Sequence, residues 1–320
     1  MAILITGGSG LLGAILTRFL AEKGEQVWVF DRWKGTQRFL GIEDRVKIIQ
    51  GDLGSFSKVL EAVKVSAPRV IYHLGGMLSL PCNADPQSGF SSNVMGTYHI
   101  LEAARLFNIP KVIFSSTRGT YGLDIQTPVI DDFTLQRPTT MYGSTKVFCE
   151  LLGRFYRSKY GIDFRVIRFP PVIGPGTQSI GLSQYNSLAV EKAFYGESYD
   201  ISVEPEVRSP VLYFKDAARS LLLLEAAPPE KIQTVCYLIA GVKPPISAAE
   251  LVAEIKKHLP RAVLNFKPDP VAMSYHNNAS KYTLDDSRAQ TEWGWKAQYS
   301  LERMIADYLA ELRENAERYR

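Results

Sequence analysis

The sequence predicts an α/β fold whose core is a doubly wound parallel sheet, followed by a smaller C-terminal lobe. Three observations predict this fold. Short apolar runs alternate with segments of helical period through the first half of the chain. The first run leads directly into a glycine-rich segment, as in a strand–turn–helix unit. After about residue 170 the alternation loosens, and prolines and glycines accumulate, for example at Pro170, Pro171 and Gly174.

The predicted strands are short runs rich in β-branched and aromatic residues. They are Ala2–Thr6, Gln26–Phe30, Val46–Gln50, Arg69–His73, Lys111–Ser115 and Asp163–Arg168. Helical stretches lie between them, and the second half has further ones at Gln184–Tyr195, Ser247–Leu259 and Leu301–Glu317. We therefore expect a sheet domain over residues 1–170. Residues 171–320 are expected to form mainly the lobe, with some segments returning to the sheet.

Composition and charge narrow the functional classes. The chain has 320 residues, 46% of them hydrophobic, which is enough to bury a full core. Lys and Arg number 37 against 33 Asp and Glu, and the charges are interspersed, so no nucleic-acid partner is indicated. Cys82, Cys149 and Cys236 lack metal-ligand spacing, which predicts free thiols, a reducing compartment and no metal site. No run is long enough for a signal peptide or a membrane span, so we expect a cytoplasmic protein without a membrane partner.

The segment Thr6–Gly13 has the glycine spacing of a dinucleotide-binding loop, and it follows a predicted strand and opens a predicted helix. Gly7 allows the tight turn, Gly10 lets the backbone approach a pyrophosphate, and Gly13 lets the helix pack closely. Amides at the helix N-terminus face the phosphates. The alternative is a glycine-rich turn without a ligand. The predicted pyrophosphate contacts are Gly7, Gly10, Leu11, Leu12 and Gly13.

Asp31 ends the second predicted strand, where an acidic residue can bind both hydroxyl groups of the adenosine ribose. A carboxylate there repels a 2′-phosphate and favours NAD over NADP, although Arg32 can compensate by pairing with that phosphate. Asp52 and Leu53 follow the third strand and are expected to flank the adenine. The alternative for Asp52 is that it caps a helix beginning near Ser55.

Tyr142 and Lys146 stand one helical turn apart at the start of an amphipathic segment. A cation beside a phenol stabilises the phenolate and lowers a pKa that is about 10 in water. Tyr142 can then act as a general base or acid on a substrate hydroxyl. The pair gains weight because it follows both the dinucleotide loop and the Ser115-Ser116-Thr117 segment at the end of the fifth strand.

These motifs occur in one order along the first half of the chain. The order is Thr-Gly-Gly-Ser-Gly-Leu-Leu-Gly, Asp31, His73-Leu74-Gly75-Gly76, Asn93, Ser115-Ser116-Thr117 and Tyr-x-x-x-Lys. In this order they resemble the extended short-chain dehydrogenase/reductases, the superfamily of NAD-dependent epimerases and dehydratases. The resemblance implies a Rossmann-type fold for the sheet domain, NAD as the cofactor and the lobe as the substrate-binding part.

The resemblance also implies roles for individual residues. Thr117 stands where the family has its catalytic Ser or Thr, with Ser116 as the competing hydroxyl. Tyr142 is implied as the acid–base residue and Lys146 as a ligand of the nicotinamide ribose. The further cofactor contacts implied by the resemblance are Leu74, Gly75, Gly76, Asn93, Ser115 and Phe169.

The second half of the chain favours a dehydrogenase. Sugar-nucleotide epimerases of the superfamily commonly carry an Asn shortly after the sixth strand, but this chain has Arg168-Phe169-Pro170-Pro171 there. Several stretches instead resemble the short-chain type of L-threonine 3-dehydrogenases. These stretches are Tyr142–Gly153, Arg168–Pro170, Tyr213–Ala217, Asp285–Ala289 and Glu292–Trp295.

The resemblance to threonine dehydrogenases implies that a small secondary alcohol is oxidised, with L-threonine giving 2-amino-3-oxobutanoate. Ser79 matches a substrate-binding Ser, and Ser183 loosely matches part of a Gly-Thr-Thr segment. Pro171 replaces a Gly, which removes a backbone donor from this part of the pocket. Thr117 and Tyr142 complete the implied substrate contacts. A nucleotide-sugar epimerase or dehydratase and a non-catalytic NAD-binding regulator are the other two readings of the same fold.

Two helical stretches, Asp85–Phe107 and Tyr142–Tyr160, carry outward apolar residues. In this superfamily such stretches form a four-helix dimer interface, so we expect a homodimer with a symmetric helix-pair contact. The alternative is that both stretches only cover the sheet.

Overall fold

The computed structural model describes residues 2–177 and 184–319. Its centre is a seven-stranded sheet with helices on both faces. The strands are β1 Ala2–Thr6, β2 Val27–Asp31, β3 Val46–Gln50, β4 Pro68–His73, β5 Lys111–Thr117, β6 Val129–Ile130, β7 Asp163–Phe169, β8 Val172–Ile173, β9 Tyr199–Ile201, β10 Arg208–Ser209, β11 Leu212–Tyr213, β12 Cys236–Leu238, β13 Ile246–Ser247, β14 Leu264–Phe266 and β15 Thr283–Leu284.

The helices alternate with these strands. They are α1 Leu11–Glu22, α2 Phe56–Ser66, α3 Ser79–Ala84, α4 Pro86–Gly89, α5 Gly96–Leu106, α6 Met141–Tyr160, α7 Tyr185–Phe194, α8 Phe214–Ala226, α9 Ala248–His258, α10 Pro270–Ala279, α11 Ser287–Trp293 and α12 Leu301–Asn315. A π-helical turn, Phe90–Met95, joins α4 to α5, and 3₁₀ turns lie at Thr36–Phe39, Glu43–Arg45, Arg118–Tyr121, Pro229–Lys231 and Ala316–Arg318.

The central sheet has the strand order β12-β7-β5-β4-β1-β2-β3, and every pair in it is parallel. The chain moves outward from β1 to β3, then returns to place β4 on the other side of β1. This reversal leaves a crevice at the carboxyl ends of β1 and β4, which is where ligands bind in open α/β sheets. The predicted Rossmann-type fold class is confirmed.

Two apolar clusters hold the helices against the sheet, one on each face. Because successive side chains of a strand point to opposite faces, Ile3 and Ile5 pack with α1 and α8, whereas Leu4 packs with α2, α5 and α6. All three side chains are fully buried. Both faces of the sheet are thus covered, as a parallel sheet requires.

The second half of the chain contributes to both parts of the molecule. Its helix α8 packs beside α1, and its strand β12 extends the central sheet next to β7. In the lobe, α7, α9 and α12 pack together, β9 pairs with β14, and β10 pairs with β13. One face of the charged C-terminal helix α12 is buried there, with Met304, Tyr308 and Leu312 in the core.

The predicted elements in the sheet domain form with boundaries shifted by one or two residues. β2 begins one residue later than predicted and includes Asp31, while β5 and β7 continue to Thr117 and Phe169. In the second half, α7 and α9 lie within the predicted stretches, because their predicted end residues are the caps. The last predicted helix ends at Asn315 and continues as a 3₁₀ turn.

The helical stretch predicted over Asp85–Phe107 is one rod built of α4, the π-helical turn and α5. Asp85 caps it by accepting a hydrogen bond from the Ser88 amide at 3.0 Å. Within the ranges 2–177 and 184–319, no helix combines the length and apolar character that a bilayer crossing requires.

Candidate active site

The glycine loop after β1 packs directly on the loop after β4. Gly7 has a φ of +69°, which side chains rarely tolerate, and a Cβ there would lie 2.6 Å from the Gly75 Cα. A Cβ on Gly13 would overlap the Gly7 carbonyl oxygen and lie 2.6 Å from the Gly8 Cα. Glycine is therefore needed at both positions, and Gly13 packs on the loop itself. The predicted packing of α1 depends on this close contact.

The N-terminus of α1 opens onto the crevice. Gly10 is the N-cap residue in an extended conformation, and no side chain caps the helix. The first-turn amides, which include those of Leu11 and Leu12, thus have no side-chain acceptor, and such amides bind phosphate groups. A loop that only glycines can form and an uncapped helix end fit a dinucleotide pyrophosphate.

Asp31 is the last residue of β2 and is half-buried beside the glycine loop. Its carboxylate accepts hydrogen bonds from the Ser9 amide at 2.9 Å and from the Trp33 amide at 3.2 Å. Each carboxylate oxygen keeps a further lone pair for a ribose hydroxyl. Asp31 therefore both holds the loop and fits the predicted ribose contact.

Arg32 and Asp52 form an ion pair at 3.3 Å on the surface next to this site. The Asp52 carboxylate also accepts a hydrogen bond from the Gly54 amide at 2.8 Å. The N-cap residue of α2 is Ser55, and no side chain caps this helix. The alternative that Asp52 caps α2 is therefore wrong, because its carboxylate stabilises the turn before the helix and neutralises Arg32. Leu53 is buried against Gly75.

A buried chain of hydrogen bonds fixes the loop after β4. Thr6 accepts from the Gly75 amide at 3.2 Å and donates to His73 Nδ1 at 2.7 Å. His73 Nε2 donates to Thr97, 3.0 Å away, whose hydroxyl donates to the Asn93 carbonyl at 2.6 Å. Burial and the Lys146 charge lower the His73 pKa to about 3, so the ring is neutral. With this tautomer every donor has an acceptor, and Leu74 and Gly75 are held beside Gly7.

Asn93 clamps the next residues of the same loop. Its Oδ1 accepts from the Met77 amide at 2.6 Å, while its Nδ2 donates to the Met77 carbonyl at 3.1 Å and to Thr145 at 3.1 Å. A Cβ on Gly76 would lie 2.9 Å from Asn93 Oδ1. Asn93 is only 3% exposed, so its contacts in this structure position the loop. Its predicted contact with the cofactor stays a prediction.

Tyr142 and Lys146 lie at the start of α6, one turn apart as predicted. The Lys146 ammonium donates to the Ser115 carbonyl at 2.8 Å and lies 5.8 Å from the Tyr142 ring centroid. The Thr117 side chain at the end of β5 lies close enough to the Tyr142 phenol to lower its pKa. Thr140 caps α6 by accepting from the Gly143 amide at 3.1 Å. The strand end and the helix start thus bring the three predicted catalytic side chains together.

The charges at this site differ from expectation. Burial raises the pKa of Tyr142, with smaller contributions from Tyr275 and Cys82, while the nearby Thr117 side chain lowers it. Burial also lowers the pKa of Lys146. The expectation that Lys146 brings the Tyr142 pKa below its usual value is therefore wrong for this structure, because the loss of solvation outweighs the stabilisation of the phenolate.

The structure separates the two competing hydroxyl groups. Ser116 is 3% exposed and donates to the Glu150 carboxylate, which also binds Arg168 at 2.7 Å. Thr117, the next residue, points to the other face of β5, where it meets Tyr142. Ser116 therefore belongs to a buried network behind the site, and Thr117 is the hydroxyl beside the phenol.

The predicted substrate contacts are only partly described. Ser79 is the first residue of α3 and is half-buried. Phe169, a predicted cofactor contact, is buried at the end of β7 and paired with Thr117 of the adjacent strand. The Pro171 carbonyl accepts from the Leu212 amide at 2.9 Å, which ties this loop to β11. Ser183 lies outside the described residues.

Sequence reasoning missed Arg118, which follows Thr117 directly. Its side chain is buried and donates to Tyr275, 3.1 Å away in α10, and to Tyr282. The available signal was a cation at the end of a strand that carries a predicted catalytic hydroxyl. Within the described residues no group of three or more His, Cys, Asp or Glu side chains is arranged to hold a metal ion.

Comparison with known proteins gives a family and close relatives. A family model described as "NAD dependent epimerase/dehydratase family" matches residues 3–239. The mitochondrial L-threonine 3-dehydrogenase of Bos taurus is 28% identical over 311 residues, which cover 96% of this chain and 81% of that protein.

Two solved structures are similar over nearly their whole length. The L-threonine 3-dehydrogenase of Trypanosoma brucei has a TM-score of 0.88 and 30% identity, with 98% of this chain and 97% of that chain covered. The GalE-like L-threonine dehydrogenase of Cupriavidus necator, in its holo form, has a TM-score of 0.87 and 28% identity, with 98% and 100% covered.

Proposed function

The chain belongs to the NAD dependent epimerase/dehydratase family, the extended short-chain dehydrogenase/reductases, and from this we propose that it oxidises a small secondary alcohol with NAD. The proposed reaction is the conversion of L-threonine to 2-amino-3-oxobutanoate. The observation that carries the proposal is the proximity of the Tyr142 phenol and the Thr117 side chain, with Lys146 held by the Ser115 carbonyl one turn along α6. Relatives named as L-threonine dehydrogenases, which match 96% and 98% of this chain, support the substrate.

The proposed chemistry assigns one task to each catalytic side chain. Tyr142 takes the proton of the substrate hydroxyl as the phenolate, so its own proton must leave first, and Thr117 orients the substrate hydroxyl by hydrogen bonding. Burial opposes this ionisation of Tyr142, and the fixed Lys146 charge favours it. Lys146 is held by the Ser115 carbonyl, so its charge is fixed close to the phenol and to the ribose site. NAD, when bound, supplies the acceptor for the hydride of the carbinol carbon. The protein's contribution is to hold the carbinol and the base in reacting geometry.

The proposed cofactor contacts follow the crevice from β1 to β5. The pyrophosphate lies on the glycine loop and the uncapped N-terminus of α1, and the adenosine ribose lies on Asp31. The ion pair with Asp52 supports NAD over NADP, because it engages one donor of the Arg32 guanidinium that could otherwise bind a 2′-phosphate. The other proposed cofactor contacts are Leu53, Leu74, Gly75, Gly76, Asn93, Ser115 and Phe169. The proposed substrate contacts are Ser79 and Ser183, in addition to Thr117 and Tyr142.

The competing function is that of a nucleotide-sugar epimerase or dehydratase. Pro170 and Pro171 occupy the place where those enzymes present an amide side chain to the substrate diphosphate. A diphosphate without that donor loses a polar contact worth on the order of 1–3 kcal/mol. We therefore expect weak binding of UDP-sugars.

The test is NADH formation with L-threonine, other amino alcohols and hydroxy acids, with UDP-glucose epimerisation assayed in parallel. We expect net NAD reduction with L-threonine, and about 10²- to 10⁴-fold slower reduction in the matched Tyr142→Phe protein. Calorimetry of the NAD-loaded protein should show binding of L-threonine and little binding of UDP-glucose. Tight binding of UDP-glucose, together with no NADH from any small alcohol, would overturn the dehydrogenase and favour the epimerase.

We also propose that the enzyme is a homodimer and that it works in a reducing compartment, the cytoplasm. The side chains of Phe148, Leu151 and Phe155 on α6 are 50%, 59% and 48% exposed and lie on one face of the helix. Phe90 and Tyr98 are exposed on the neighbouring rod. These exposed apolar side chains lie on elements that pack against each other, which supports a symmetric helix-pair contact. The compartment is supported by the three cysteines, which are all buried and free.

A further inference from the structure

Arg118 is a buried arginine for which the described part of the chain provides no acidic partner. The residue is 5% exposed and begins the 3₁₀ turn that follows β5. Its Nη atoms donate to the phenol oxygens of Tyr275 and Tyr282, and its Nε has no hydrogen-bond partner. The undescribed stretch 178–183 contains no Asp or Glu that could pair with it.

The other buried arginines of the described chain are satisfied differently. Arg165 pairs with Asp163 at 2.6 Å and Arg168 with Glu150 at 2.7 Å, while Arg38 donates to the Gly176 carbonyl at 2.6 Å. Two neutral phenols solvate a guanidinium less well than a carboxylate does, even with their rings 5.4 and 5.9 Å from its Cζ. A buried cation with an unused donor is unfavourable unless a ligand supplies the anion.

Arg118 is also close to the reacting groups. It is the neighbour of Thr117 in the chain, and its partner Tyr275 lies near enough to Tyr142 to affect the ionisation of that phenol. Tyr275 comes from α10, whose N-terminus is fixed by Asp269 through hydrogen bonds to two backbone amides at 3.0 and 2.9 Å. The cation thus lies where β5 meets a helix of the second half of the chain.

We propose that Arg118 binds the carboxylate of a hydroxy-acid substrate whose hydroxyl group contacts Tyr142 and Thr117. The inference rests on the proposed dehydrogenase function and deepens it, since it makes the carboxylate the recognised group of the substrate. Nε and one Nη of a guanidinium present a planar pair of donors that matches a carboxylate. Tyr275 is half-buried and can donate its hydroxyl to the same carboxylate once the guanidinium has an anion.

The test compares an acid with its neutral analogue. kcat/KM is measured for L-threonine and for L-threonine amide in the unaltered protein, in Arg118→Gln, in Arg118→Lys and in Arg137→Gln. Arg137→Gln is a matched control, because it removes the same charge from a side chain that is 64% exposed. Melting temperature and NAD affinity show whether each variant is folded.

We expect Arg118→Gln to lower kcat/KM for L-threonine by about 10- to 100-fold, the loss of a charged hydrogen bond, while the value for the amide changes little. Arg118→Lys should have a kcat/KM for L-threonine between those of the unaltered protein and Arg118→Gln, because it keeps the charge and loses the planar pair of donors. Arg137→Gln should match the unaltered protein. An equal preference for acid and amide in the unaltered protein, or an unchanged preference in Arg118→Gln, would overturn the proposal.

A measurement without variants covers the case in which Arg118→Gln does not fold. L-2-aminobutanoate lacks the reacting hydroxyl, so calorimetry with the NAD-loaded protein reports on binding alone. We expect it to bind at least about tenfold more tightly than its amide, as one charged hydrogen bond requires. Equal binding of the two would overturn the inference.

The outcomes also separate this inference from the proposed function. Turnover of neutral alcohols without any advantage for a carboxylate overturns the role of Arg118 and leaves the dehydrogenase standing. Carboxylate-dependent binding without NADH from any alcohol overturns the dehydrogenase and supports the role of Arg118. Tight binding of UDP-glucose that is lost in Arg118→Gln shows that the cation holds a diphosphate, which overturns the carboxylate assignment.

Discussion

At the scale of single residues, the proposed chemistry depends on three side chains, which define the position of the reacting hydroxyl. Tyr142 lies beside Thr117, and Lys146 donates a hydrogen bond to the Ser115 carbonyl instead of to the phenol. The lysine therefore acts through its fixed charge and its position, and the threonine sets the direction of the phenol. Removing one hydroxyl should leave this arrangement in place.

Tyr142→Phe should lower turnover by about 10²- to 10⁴-fold, the usual contribution of a general acid–base group, and leave NAD affinity nearly unchanged. The reason is that only the proton-transfer hydroxyl is lost. Lys146→Met should reduce both turnover and NAD affinity, since the ammonium is proposed to bind the ribose. Steady-state kinetics with L-threonine and calorimetry with NAD measure the two effects. Near-normal turnover in Tyr142→Phe would contradict the proposed chemistry.

The choice between NAD and NADP also depends on a single residue, Asp31. Asp31→Asn should weaken NAD binding by about 10- to 100-fold through the loss of charged hydrogen bonds to the ribose, and should narrow the preference over NADP. Asparagine keeps an acceptor for the Ser9 amide, so the glycine loop should stay in place. Kd values for both cofactors measure the change, with the exposed Asp44→Asn as the control. A preference of the unaltered protein for NADP would mean that Arg32 outweighs Asp31.

At the scale of elements, a buried polar network holds β5, α6, β7 and β12 in register behind the site. Glu150 on α6 binds Ser116 of β5 and Arg168 of β7. The Arg168 guanidinium in turn donates to the Asp132 carbonyl at 2.7 Å, and the Asp132 carboxylate accepts from the Leu238 amide at the end of β12. The position of α6, and with it that of Tyr142, depends on these contacts between elements.

Asp132 should make the stability of this network depend on pH. Burial raises the pKa of Asp132 to about 7, so the folded state favours the protonated acid. That contribution to stability is fully present below the ordinary pKa of about 4 and is lost as pH rises through about 7. Asp132→Asn is neutral throughout, so between pH 5 and pH 8 the unaltered protein should lose about 2–3 kcal/mol more stability than the variant.

Urea unfolding at both pH values measures this difference, with Asp44→Asn as an exposed control. The pH dependence of the unaltered protein must be compared with that of Asp132→Asn, because His73 has the opposite effect in both proteins. The lowered pKa of His73 reduces the stability of the fold as pH falls below about 6.5. Equal pH dependence of the unaltered protein and Asp132→Asn would show that Asp132 is ionised in the fold without penalty.

At the scale of the whole molecule, the sheet is covered on both faces, yet α6 and the rod before it still expose large apolar side chains. A monomer gains nothing from such a surface, whereas a second copy can bury it around a two-fold axis. The site and this surface share α6, so dimerisation would also restrain the helix that carries Tyr142 and Lys146.

The unaltered protein should therefore have twice the 35.8 kDa chain mass in solution. Phe148→Glu combined with Leu151→Glu should give a monomer, because four like charges would be brought into the symmetric contact. Leu135→Glu is the control, since that side chain is 72% exposed elsewhere. Light scattering across a concentration series distinguishes these results. A monomeric unaltered protein at micromolar concentration would contradict the dimer proposal.

The sequence by itself determined the features that depend on neighbours along the chain. Local geometry accounts for the glycine loop, the strand runs and the spacing of Tyr142 and Lys146. Side chains share a face with a period of about 2 residues in strands and about 3.6 residues in helices. The family motifs lie in such segments, so the fold and the catalytic pair could be predicted before any contact was known.

Only the tertiary structure decided what depends on segments distant in the chain. It placed Thr117 beside the phenol and Ser116 in the network with Glu150, it brought β12 to the edge of the sheet, and it buried Arg118 against Tyr282, 164 residues away. Burial also reversed the expected shift of the Tyr142 pKa. The physical reason is common to these cases: desolvation and pairing depend on which distant side chains exclude water from a group, and local sequence periodicity carries no record of those neighbours.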